Sequence, residues 1–136
     1  MLMLSAPQRD LVRDKGTKVG RMLMGLLFFA SGLSMLLVAG PADTALYFSS
    51  LGIPLASLVV WLVIAVKILA GLAIILSYRV GLAAATLLLF TFVATIAAHR
   101  DFADPNLLKN LAIMGGLLYL MAYGPGGSNT TKLFTK

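Results

Sequence analysis

Lys67 stands in the middle of the apolar stretch Leu55–Ser77, in which no acid occurs. The whole sequence has no Glu, and its five Asp all fall outside the apolar runs. An ammonium in hydrocarbon persists in one of three ways: as an uncharged amine, inside a ring of hydroxyl and carbonyl acceptors, or against an acidic group from a ligand, lipid or partner subunit. Insertion itself is affordable. A central lysine costs about 2.5–3.5 kcal/mol, and each Val, Ile or Leu around it returns about 0.3–0.6. Counting about 1.5 Å per residue along predicted helices brings Ser31, Ser34, Thr91 and Asn110 to the depth of Lys67. The spacing therefore predicts an intramembrane polar layer of Lys67, Ser31, Ser34, Thr91 and Asn110. That layer serves either as a structural contact or as the seat of a ligand or a partner's carboxylate.

Thr91, Thr95 and His99 recur at steps of four, which puts them on one helix face with Arg100 and Asp101 beside the histidine. Such a stripe can lead protons or a quinone headgroup inward, so His99, Thr95 and Arg100 form a candidate outer entrance. The plainer reading has the threonines bonding back to their own helix and His99 resting at the interface. Other chemistries lack their residues. There is no Cys and a single His, so neither a thiolate centre nor a bis-histidine haem is built within this chain. No metal-ligand cluster, nucleophile–base pair or phosphate-cradling loop is visible. We expect no metal, no cofactor held by this chain alone and no self-contained catalysis.

The elements that must hold these residues are apolar runs at about 20–39, 55–77, 80–98 and 107–123. Each approaches the roughly 20 residues that cross a bilayer. With 60% of 136 residues hydrophobic and 12% charged, little chain is left for a domain outside lipid. The expected fold is all-α, a polytopic four-helix membrane bundle. Its divisions are a basic segment at 1–18, a membrane domain at 19–127 and a tail at 128–136. Pro41 stops one helix and opens another, with Asp43 or Thr44 available as caps, so a short interfacial helix is expected at the outer surface between spans 1 and 2. Small residues at Ala30 and Ser34, Ala70-Gly71, Ala83-Ala84-Ala85, and Ala112 and Gly116 let helices approach in lipid. The first run is longer than the apolar region of a cleaved signal peptide and reads as a span.

The charge of +6 follows topology. Arg9, Arg13, Lys15, Lys18, Arg21, Arg79, Lys132 and Lys136 fall on one side of a four-crossing chain, and only Arg100 and Lys109 on the other. Both termini are therefore expected in the cytoplasm, and nucleic acid is not an expected partner.

Taken in order, Gly20-Arg21, Phe28-Phe29-Ala30-Ser31-Gly32, Leu51-Gly52-Ile53-Pro54, Gly71, His99, Lys109-Asn110-Leu111-Ala112, Gly115-Gly116 and Tyr123-Gly124-Pro125-Gly126 resemble the DoxX family. The resemblance implies a small four-helix protein of the bacterial inner membrane, in some members associated with quinone-linked or stress-related redox complexes. Two positions depart from the pattern: Met35 stands where the family tends to have Lys, and Lys67 where it tends to have Glu. An intramembrane Lys–Glu pair is replaced by a lone cation. The leading expectation is an accessory or quinone-site-assisting subunit of a larger membrane redox complex, with lipid and other membrane subunits as partners and quinone as the one possible cofactor. A small solute or proton-coupled permease and a stand-alone quinone-linked oxidoreductase are the alternatives.

Overall fold

The computed structural model describes residues 5–99 and 101–125. Arg100 and the tail from residue 126, with Lys132 and Lys136, lie outside the described residues. Helix α1 begins at a capping box: Ser5 Oγ accepts from the Gln8 amide at 3.3 Å, and Gln8 Oε1 accepts from the Ser5 amide at 2.8 Å. It then runs unbroken over Ala6–Ala39, 34 residues, through π-helical turns at Val12–Gly16 and Met35–Ala39. At about 1.5 Å per residue that is about 51 Å, well beyond a hydrocarbon core of about 30 Å. The basic segment is thus the first turns of the spanning helix itself, projecting past the lipid with Arg9, Arg13, Lys15 and Lys18 on it.

Gly40, at φ 85°, breaks α1, and Pro41 opens the short helix α2, Pro41–Ser50. The expected side-chain cap is absent. Thr44 Oγ donates instead to the Gly40 carbonyl at 2.9 Å, the back-bond its hydroxyl makes within a helical turn. Gly52, at φ 83°, and Leu55, at φ 53°, turn the chain into α3, Ala56–Ile75. A tight connection, in which the Tyr78 amide donates to the Ala73 carbonyl at 2.7 Å, leads into α4, Val80–Ala98. Asp104 and Pro105 then start α5, Pro105–Tyr123, which Gly124 ends at φ 75°.

Helices α1, α3 and α4 are long and apolar enough to cross a membrane. Helix α5, the fourth expected span, has 19 residues, about 28 Å. Asn106, Lys109 and Asn110 dilute its first turns, so it is less apolar than α3 and α4.

In lipid, apolar area gains nothing by moving from tails to a neighbouring helix, so tight packing has to come from shape. Glycines supply it between α1 and α3. A Cβ on Gly71 would lie 2.7 Å from the Phe29 amide nitrogen and 2.8 Å from the Gly25 carbonyl, and one on Gly32 would lie 3.0 Å from Lys67 Cβ. These contacts make α1 and α3 antiparallel. The buried core, Phe28, Ile74, Val80, Ala84, Leu87 and Leu117, fills the half of the bundle nearer the α3–α4 connection. Ala83 and Ala84 are buried as expected of packing residues, whereas Ala30, Ser34 and Ala112 face outward. Leu23, Leu62, Leu69, Leu82 and Leu89 also face outward, the surface a membrane protein offers to lipid.

Candidate functional site

Lys67 lies midway along α3, on the side turned to α1. Its Nζ donates to Ser31 Oγ at 2.9 Å and to Met35 Sδ at 3.4 Å, and it lies 5.4 Å from the centroid of the Phe90 ring on α4. Gly32 permits this, because any side chain there would push the two helices apart just where the lysine leaves its backbone. A hydrogen bond to a charged group contributes about 1.5–3 kcal/mol, and an aromatic face about 0.5–2. Those magnitudes match the cost of inserting the lysine, so the chain holds the ammonium by itself. They do not neutralise it. A hydroxyl, a weakly accepting thioether and a ring face carry no net charge, and no carboxylate pairs with Lys67 among the described residues. The residue is half-buried, and an ammonium has three N–H donors, one more than Ser31 and Met35 take up.

The expected single polar layer divides in two. Ser31 meets Lys67, but Ser34 points outward, and Met35, one full turn beyond Ser31, takes the place beside the ammonium. Thr91 is buried with its hydroxyl donating to the Leu87 carbonyl at 2.8 Å. Asn110 belongs to a second cluster between α4 and α5: its Nδ2 donates to Thr95 Oγ at 3.0 Å, and Thr95 Oγ donates to the Thr91 carbonyl at 2.7 Å. Among the described residues no hydrogen bond joins the two clusters. Depth along a helix fixes the level of a residue, not the face it occupies, and the four helices pack here as α1 with α3 and α4 with α5.

The expected entrance is changed in the same way. Thr95 is buried and committed to Asn110, so it lines no path beside His99. His99 Nδ1 pairs with Asp104 Oδ2 at 2.8 Å, and the other oxygen of Asp104 accepts from the Asn106 amide at 2.9 Å, capping α5. That amide first, and His99 second, hold the Asp104 carboxyl below the usual carboxylate range. The pair fastens the end of α4 to the start of α5. With a carboxylate on Nδ1, a neutral His99 keeps its proton on that nitrogen and presents Nε2 as an acceptor. Among the described residues no three His, Asp or Glu side chains converge as a metal ion would need.

Three partners went unread in the sequence. Asp104 carried a legible sign, the Asp-Pro start of a helix. Met35 departs from the family pattern, but nothing in its spacing marks it as a neighbour of Lys67. Phe90 gave no sign, since one Phe in a run of Leu and Phe looks like any other.

The DoxX family model matches residues 16–100, which takes in α1 from its first π-turn through α4. No curated protein and no solved structure matches the chain.

Proposed function

This chain belongs to the DoxX family, and from that premise we propose that it is an accessory, quinone-site-assisting subunit of a larger membrane redox complex, whose counter-charge for Lys67 comes from a neighbouring subunit. The observation that carries the reading is the contact between Met35 and Lys67 at 3.4 Å. The two positions at which this sequence departs from the family pattern face each other across α1 and α3. A pair that would be neutral within one chain is here a methionine and a cation, and the acid belongs elsewhere. His99, oriented by Asp104, is the group we assign to an outer quinone or proton entrance, with Nε2 as the acceptor of a quinol proton. Quinone would then be held by the complex, not by this chain alone.

The reading places the protein in a bacterial inner membrane. The basic first turns of α1, Arg21 and Arg79 share one end of the bundle, and the His99–Asp104 pair lies at the other. The Lys/Arg bias assigns the basic end, and with it both termini, to the cytoplasm.

Purification in a mild detergent tests the assignment. The chain is expected to travel with stoichiometric membrane partners, and Lys67→Met should insert normally yet lose most of them. Undiminished co-purification of Lys67→Met would remove the role given to the ammonium.

A further inference from the structure

Arg21 is 7% exposed and hydrogen-bonds, through one terminal nitrogen, to the Pro125 carbonyl at 3.2 Å. Its Nε is the one buried side-chain nitrogen or oxygen among the described residues that lacks a partner. A guanidinium is always charged, and an unfilled N–H on its planar fork suits an acceptor with two oxygens. No carboxylate pairs with it among the described residues. The side chain lines a cavity of about 980 Å³ between the first turns of α1 and the last turns of α5. That is the upper end of the range for small-molecule sites and far more room than an inorganic anion fills.

The wall of the cavity carries both signs of charge. Asp10 and Arg13 are paired at 3.8 Å, while Asp14 is exposed and has no ion pair among the described residues. Asp14 precedes Arg21 by seven residues, two turns on the same face of α1, about 10 Å along its axis. Tyr119 and Tyr123, stacked with centroids 5.5 Å apart, form the far side, and Met24 and Leu120 make the floor apolar. Exposed tyrosines at the end of a span mark the headgroup level.

We propose that this cavity binds a phospholipid headgroup bearing a phosphate and a primary ammonium, the phosphate on Arg21 and the ammonium on Asp14. A plain anion gains at Arg21 and is repelled at Asp14. A zwitterion of phosphoethanolamine type gains at both, since its two charges, with a hydrogen-bond contact at each end, span about the 10 Å rise between the two positions. A quaternary ammonium lacks the N–H donors that Asp14 accepts. The inference does not depend on the role assigned to Lys67.

Native mass spectrometry of the delipidated full chain in detergent tests it, with phosphatidylethanolamine, phosphatidylglycerol and phosphatidylcholine of identical acyl chains offered in equal amounts. The ethanolamine lipid should be retained about fivefold or more over the other two. Asp14→Asn, a surface change that leaves the fold intact, should abolish its advantage over phosphatidylglycerol, and Arg21→Gln should lower retention of every phospholipid about tenfold. Displacement by soluble O-phosphoethanolamine would assign the same headgroup chemistry to a soluble ligand, and lack of displacement assigns it to lipid. Equal retention of the three lipids by the native chain, or an undiminished ethanolamine preference in Asp14→Asn, would overturn the proposal.

Discussion

At the residue scale the molecule turns on two polar contacts of opposite character. The Lys67 cluster is held but not neutralised, because Ser31, Met35 and Phe90 offer a hydroxyl, a thioether and a ring and no negative charge. Met35→Glu would place a carboxylate where the sulfur now lies, within reach of Nζ. It should satisfy the cation inside the chain and weaken partner association much as Lys67→Met does, which co-purification reads directly. The His99–Asp104 contact brings its own carboxylate from the same chain and is structural as well as chemical. His99→Ala should leave assembly normal and lower quinone-linked turnover of the complex, and unchanged turnover would reduce His99 to a clasp between two helices. Asp104 gives the clasp a pH dependence of fixed sign. Because its folded carboxyl titrates below the unfolded value of about 3.9, its contribution is complete above that value and is lost as pH falls through the lower, folded one. Thermal unfolding in detergent should therefore show an acid-side fall in stability that is smaller in Asp104→Asn, where the helix cap is kept and the charge is gone.

At the element scale the bundle depends on where side chains are missing. Gly71 has backbone atoms of α1 2.7 Å from where its Cβ would be, whereas a Cβ on Gly115 would meet nothing within 4 Å. Gly71→Ala should thus force α1 and α3 apart and cost about 1–3 kcal/mol. Gly115→Ala, in a helix interior with open space beside it, should be neutral or stabilising by up to about 1 kcal/mol. Thermal midpoints of the two variants in one detergent give the comparison. The elements were largely legible in the sequence. Apolar runs gave the four long helices, Pro41 and the glycines around it gave α2, and Tyr123-Gly124 gave the end of α5. The faces were not legible. Ala30 and Ser34 have the small-residue spacing of a packing seam and point outward, while Gly25, which carries much of the α1–α3 contact, stood in no recognised spacing. Spacing within one helix is local, but the choice of seam depends on what the neighbouring helix presents.

At the scale of the whole molecule, charge is sorted to the two ends. The projecting turns of α1, Arg21 and Arg79 make one end basic, the His99–Asp104 pair closes the other, and Lys67 is the cation left between them. Arg21 shows how far composition could carry the reading: its charge announced topology, but its burial against Pro125 and the cavity beside it depend on α5 returning to the start of α1, a contact across 104 residues of sequence. The division of the expected polar layer has the same origin, since helix pairing is decided by the assembled bundle. The source of the charge opposite Lys67 is decisive, and a cryo-EM structure of the protein purified with its native companions looks at that atom directly. A carboxylate oxygen of another subunit is expected within about 4 Å of Lys67 Nζ. An ammonium surrounded only by Ser31, Met35, Phe90 and water in that assembly would contradict it.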